Sequence, residues 1–197
     1  DSTDIDGDGI ADPLLIRFSA SENPVEWYPT TINTAGDLRL GGGSTFMQAV
    51  ETKQAILILT DKTLHAMKFI GPPFTFGLQE LSKNITIMSS RAAVGTAEFY
   101  VFSGAVQRLP CTVRDFVFEN MNLEQREKVI AGANVSFSEV WWFYPSDTVT
   151  NSVTNTENDR YVVYNYVEQV WFTGTMNRSA WLDRGISTFP LATGDNN

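Results

Sequence analysis

The chain has 197 residues, 43% of them hydrophobic and 19% charged, enough apolar material for one large β domain or two small ones and too much for wholesale disorder. Its net charge is −9, and residues 1–50 carry most of that excess, with Asp1, Asp4, Asp6, Asp8, Asp12, Glu22, Glu26 and Asp37 set against Arg17 and Arg39. Nothing forms a basic stripe, which argues against sequence-reading nucleic-acid binding, and the longest apolar run, Ala55-Ile56-Leu57-Ile58-Leu59, is too short for membrane insertion.

Residues 1–12 read as a polar Asp/Gly loop. Leu14 to Phe18 reads as a strand, Ser21-Glu22-Asn23-Pro24 as a turn, and Val25 to Pro29 as a second strand stopped by its proline. Gly41-Gly42-Gly43-Ser44 reads as a flexible connector, since it lacks the lysine and the strand-to-helix setting of a phosphate loop.

A rhythm then begins, with strands predicted over Met47–Thr52, Gln54–Leu59, Thr63–Ile70 and Phe74–Leu81. In the third of these, Leu64, Ala66, Lys68 and Ile70 alternate with His65, Met67 and Phe69, so both faces are largely apolar. Further strands are predicted at Ile85–Met88, Glu98–Phe102 and Val106–Leu109, with a tight hairpin at Phe102-Ser103-Gly104-Ala105. One short helix is expected between Val113 and Ala131, at least over Leu123–Lys128. Asn122 would cap it, with Gln125 at the third position. Strands return at Asn134–Phe137, Glu139–Pro145, Arg160–Tyr166 and Val170–Gly174, with a mobile polar loop over residues 146–158.

Short strands every eight to twelve residues or so, separated by turn residues, define an all-β fold. Three groups of about four strands can be marked off: Met47–Leu81, Ile85–Phe118 and Ala131–Thr175. The expected architecture is β-propeller-like, with four-stranded antiparallel blades, because radial packing covers both faces of each sheet. The alternative is a β-sandwich. The 13 Phe, 6 Tyr and 5 Trp suit such half-buried pleated surfaces.

Candidate chemistry is sparse. Asp4, Asp6 and Asp8 at alternate positions, a carbonyl at Ile10, and Asp12 match the first nine positions of a Ca²⁺ loop, but the twelfth is Leu15 and no bidentate Glu follows. Calcium is therefore the one cofactor expected, as an optional one; the bland alternative is a solvated acidic turn. Cys111 is alone, so no internal disulfide forms, and His65 is the only histidine. A buried small hydrophobe and a satisfied core side chain are the expected readings of the two. Carboxylate pairs for glycoside cleavage can be drawn from Glu98, Asp115, Glu139 or Asp159, and nothing in the sequence selects among them. The Trp residues suit core packing better than a sugar-binding face.

Several runs, in order over roughly residues 13–185, resemble the tail nozzle (tail hub, or tail tubular) proteins of short-tailed bacteriophages. They are Ile16–Ser19 with Trp27–Pro29 and Asn33–Gly36, Phe69–Gly77, Glu98–Cys111, Glu139–Tyr144, Asp159–Tyr166 and Thr175–Asp183. The resemblance implies a non-enzymatic structural subunit in the virion. Six copies would ring a channel for genome ejection, with a tail adaptor above and fibre, spike or needle proteins attached. DNA would pass without sequence-specific binding, helped by an acidic surface that disfavours phosphate contacts. The expected organisation is an acidic loop over 1–12, a partial propeller of three to four blades over 13–185, and a polar tail over 186–197. Residues 1–12 match nothing in that family, and the chain reads as a fragment or processed product of a longer protein. The rival expectation is a carbohydrate-binding or glycan-cleaving propeller.

Overall fold

The computed structural model describes residues 4–5, 7–52, 54–85, 87–93, 101–102, 105–106, 109–150, 152–184, 187 and 189–194. Among these the structure is all-β, with sixteen strands, one α-helix and two short 3-10 segments. The chain forms two compact units, one of Asp1–Ile87 with Tyr100–Val106 and one of Met88–Phe99 with Gln107–Asn197.

In the first unit, β1 (Leu15–Phe18) and β2 (Gly36–Arg39) pair antiparallel, and β3 (Phe46–Glu51), β4 (Ile56–Thr60), β5 (Thr63–Phe69) and β6 (Phe76–Lys83) form a four-stranded antiparallel meander. The central strands are the apolar ones. Ile56 and Ile58 of β4 lie opposite Met67 and His65 of β5, and this face is covered by Leu14, Ile16, Leu38 and Leu40 from the β1–β2 segment. On the other face Val50, Leu57, Leu64 and Ala66 are buried too. The double-sided pattern of residues 63–70 is therefore realised up to Met67, beyond which Lys68, Phe69 and Ile70 are exposed. A small hairpin, β7 (Val101–Phe102) with β8 (Ala105–Val106), belongs to the same unit.

In the second unit α1 (Arg114–Glu119) precedes β9 (Ile130–Asn134), β10 (Glu139–Pro145), β11 (Val149–Thr150), β12 (Val153–Thr154), β13 (Asn158–Asn165), β14 (Val170–Thr175), β15 (Ala180–Leu182) and β16 (Leu191–Thr193). The sheet β14-β13-β10-β9 is again a four-stranded antiparallel meander, with the β11–β12 hairpin inserted between β10 and β13. One face carries Tyr144 and Val162 and packs against Val117, Met121 and Val129. The other carries Trp141, Phe143 and Tyr161, and Trp181 of β15 stacks on it, 5.8 Å from Trp141 at an interplanar angle of 14° and 5.6 Å from Phe143. Two glycines make room for this layer. A Cβ on Gly132 would collide with Trp181 Cδ1 and Cγ, and one on Gly174 would collide with the phenol of Tyr161, its cross-strand partner. The Trp181 indole donates to the Ala133 carbonyl at 2.8 Å, so the half-buried ring is fixed in direction.

Several expectations need correction. Val25–Pro29 is not a strand, because residues 20–28 fold on themselves: Ala20 N–H donates to Glu26 O, Glu26 N–H to Asn23 O, and the Trp27 indole to Pro24 O. These local partners replace a ladder. The strand that pairs with β1 is β2, hidden in the short Gly-Asp-Leu-Arg run. Helix lies within the expected Val113–Ala131 span, but its α-helical part is the earlier one. Arg114–Glu119 is α-helical, held by Val117 and the apolar stripe through Val113 and Met121. Leu123–Lys128 is a 3-10 segment broken at Gln125; it buries no residue, so no packed face holds it as an α-helix. Asn122 does cap it, accepting from Glu124 N–H at 3.1 Å.

Asn134–Phe137 is the end of β9 followed by a 3-10 turn, so the strand lies four residues earlier than predicted, at Ile130–Asn134. The described residues of Ile85–Met88 are not in a strand. The 146–158 loop contains β11 and β12, and β16 draws Leu191–Thr193 of the expected tail into a hairpin with β15. Most of Glu98–Phe102, the turn residues Ser103 and Gly104, and Gln107 and Arg108 lie outside the described residues, so the predicted second blade is not described as a sheet.

Adding one methyl group at Gly132 is expected to destabilise the second unit by about 1–3 kcal/mol, the usual cost of overpacking. Denaturant unfolding of Gly132→Ala followed by near-ultraviolet circular dichroism checks this; an unchanged midpoint would show that Trp181 is not seated there.

Candidate functional site

The acidic loop is wrapped around its own backbone. Gly7 and Gly9 have φ of +87° and +86°, left-handed conformations open to glycine at little cost. This turns their N–H groups onto Asp4, whose Oδ1 and Oδ2 accept from Gly7 and Gly9 at 2.6 and 2.7 Å. Asp8 Oδ1 accepts from Ile10 N–H at 2.8 Å. Asp12 is the buried member at 6% exposure. Its Oδ2 accepts from Ile5 N–H at 3.3 Å and its Oδ1 from Arg39 at 2.7 Å.

A second arginine ties the loop to the β1–β2 pair. Arg17 donates to the Ile5 carbonyl at 2.5 Å. It also forms a two-pronged bond with Asp37, its cross-strand partner, at 2.7 and 3.0 Å, and lies 5.2 Å from the centre of the Tyr28 ring. With its side chain 11% exposed, this guanidinium joins three segments at once. The sequence placed Arg17 inside a strand and gave no sign of this role.

Of the predicted calcium set, Asp6 lies outside the described residues and Asp4 and Asp8 are exposed. Among the described residues no group of three or more His, Cys, Asp or Glu side chains is placed to hold a metal ion. A dication at this loop would have to share Asp12 with the guanidinium of Arg39, which it repels.

The other nominated residues are engaged in structure. His65 is 2% exposed, and its Nε2 lies 2.9 Å from Thr63 Oγ1, which in turn lies 2.7 Å from Thr60 Oγ1. That buried Thr-Thr-His chain closes the β4–β5 turn. The lone Cys111 is partly buried and belongs to the other unit. Glu139 accepts from the Trp141 indole at 2.9 Å, and Asp115 pairs with its neighbour Arg114 at 3.0 Å. Asp159 accepts both the N–H and the hydroxyl of Ser146 at 2.7 Å. Glu98 lies outside the described residues. Tyr144 has no hydrogen-bond partner for its hydroxyl among the described residues. Burial raises its pKa; the Arg160 charge opposes the shift and the Asp159 charge adds to it. A phenol so placed stays protonated and serves packing.

The glycine-rich connector is a built turn rather than a flexible link. Asp61 accepts from Ser44 N–H at 2.6 Å, Ser44 Oγ at 2.7 Å and Thr45 N–H at 3.2 Å. These bonds lower the Asp61 carboxyl from 3.8 to about 2. Such an aspartate stabilises the fold fully above its unfolded pKa and loses that contribution as pH falls through its folded pKa.

Two tests follow from these contacts. The stability difference between the wild type and Asp61→Asn is expected to narrow as pH falls from 3.8 towards about 2, as read from urea midpoints across that window; a gap constant with pH would contradict the assignment. Asp12→Ala, which removes the acceptor of the Ile5 N–H and of the exposed Arg39 guanidinium, is expected to cost about 1 kcal/mol, equally in calcium and in chelator. A loss seen only in calcium would instead assign Asp12 to a bound cation. No protein-family model matches this chain, and no match was found among the curated proteins.

Proposed function

We propose that the chain is a structural subunit of a ring assembly of the phage tail nozzle kind, with its four-stranded sheets serving as blades of a β-propeller. The observation that carries this reading is that each described four-stranded meander has apolar residues buried on both faces. That is the pattern expected of sheets stacked between neighbours rather than of sheets with one wet face. The use of His65, Glu139 and Asp159 in internal hydrogen bonds supports a role in shape and contact rather than catalysis. In this reading six copies surround a channel, a tail adaptor and fibre, spike or needle proteins bind the ring, and DNA passes without sequence-specific contacts. The net charge of −9 keeps phosphate binding weak.

The rival reading is a glycan-binding or glycan-cleaving propeller, which needs an open aromatic platform. All five indole N–H groups donate within the protein, Trp27 to Pro24 O, Trp141 to Glu139, Trp142 to Ala92 O, Trp171 to Pro110 O and Trp181 to Ala133 O, so such a platform would have to use ring faces alone, at the exposed Trp27 and Tyr28. Among the described residues no helix is long and apolar enough to cross a membrane.

Electron microscopy of the purified chain is expected to show closed rings of six, and a panel of oligosaccharides is expected to leave its melting temperature unchanged. A monomer stabilised in proportion to sugar concentration would replace this reading with the rival one.

A further inference from the structure

The first unit carries an uncharged apolar surface built from two segments that the fold holds side by side. Residues 27–36 and residues 69–77 contain no Asp, Glu, Lys or Arg. Phe18 joins them from below. Its ring lies against Gly36, where a Cβ would come within 2.5 Å of Cζ, and meets Phe76 edge-on at 4.9 Å. Phe76 in turn supports Phe69 at 5.9 Å. Above them Thr75 Oγ1 donates to the Thr34 carbonyl at 3.2 Å, and Arg17 backs the ring of Tyr28. On this braced base Trp27, Tyr28, Ile32, Phe69, Ile70 and Phe74 stand 46%, 72%, 94%, 70%, 58% and 70% exposed.

We propose that this surface is where a second copy of the chain docks, an inference that rests on the ring reading and names its contact. Two arguments select that occupant. The first is area. The six residues together expose roughly 900 Å², of the order of the ~800 Å² that each partner buries in a stable interface. The second is charge. Copies that each carry −9 repel wherever carboxylates face one another, and these two segments can meet another copy without that cost. The carboxylates that flank the first segment are both engaged: Glu26 accepts from the side chains of Asn23 and Asn33 at 3.2 and 2.8 Å, and Asp37 accepts from Arg17 at 2.7 and 3.0 Å. A basic protein or a nucleic acid finds no charge here to pair with.

Sedimentation velocity of the 197-residue chain and of three single variants, each checked by circular dichroism and melting temperature, tests the proposal. The wild type is expected to sediment as an oligomer. Ile32→Glu and Phe74→Glu are expected to weaken association at least tenfold with the fold unchanged. Val149→Glu, at an exposed apolar position of the second unit, is expected to leave association intact. Oligomers that persist in both patch variants would overturn the docking surface while leaving the ring reading in place. A wild type that stays monomeric at all concentrations would overturn both. Loss of fold in Ile32→Glu and Phe74→Glu would assign those side chains to internal packing and overturn the proposal as well.

Discussion

A four-stranded antiparallel sheet whose strands are apolar on both faces must find cover twice, and most of the structure follows from how each unit finds it. In the first unit the β1–β2 pair lays Leu14, Ile16, Leu38 and Leu40 over Ile58 and Met67. In the second, α1 and the segment after it supply Val117, Met121 and Val129 on one side, and β15 supplies Trp181 on the other. The aromatic layer can lie close to the backbone only because Gly132 and Gly174 leave no Cβ in its way. Each cover piece belongs to the same compact unit as the sheet it covers, yet comes from tens of residues away along the chain, so covering the sheets depends on non-local contacts.

Polar groups are arranged to serve the same end. Asp12, Asp37 and Asp61 each receive two or more donors that fasten a loop or a strand pair. Ser146 and Asn158, both buried, are tied by Asp159 and by the Lys128 and Arg178 carbonyls respectively. The charge-assisted bonds among these, at the aspartates, fix geometry more than they add net stability. The proposed ring subunit would draw on this rigidity.

The sequence made the regular strands legible and the irregular segments obscure. Residues 139–145 and 160–166 were placed almost to the residue, because dense aromatic and β-branched runs bounded by polar turns have few other uses. The covering pieces were missed for the opposite reason. Gly36–Arg39 is four residues with only one large apolar side chain, and Ala180–Leu182 and Leu191–Thr193 are three residues each, too short to show alternation. The span Val113–Ala131 does hold the helix, but the weight fell on its later part, because a capping signal at Asn122 marks where a helix can start, whereas the apolar stripe Val113-Val117-Met121 decides which part packs as an α-helix. At the acidic loop the carboxylate spacing was visible, but the arginines that engage it, Arg17 and Arg39, come from strands that had to be folded before their reach was evident.

Exchange of the five indole N–H protons with solvent, followed by nuclear magnetic resonance, tests most directly whether the sheets are covered on both faces by fixed aromatic side chains. Trp142 and Trp181, bonded to the Ala92 and Ala133 carbonyls from opposite faces of the same sheet, should exchange slowly, while the half-exposed Trp27 exchanges fast. Equally rapid exchange at all five would contradict the account.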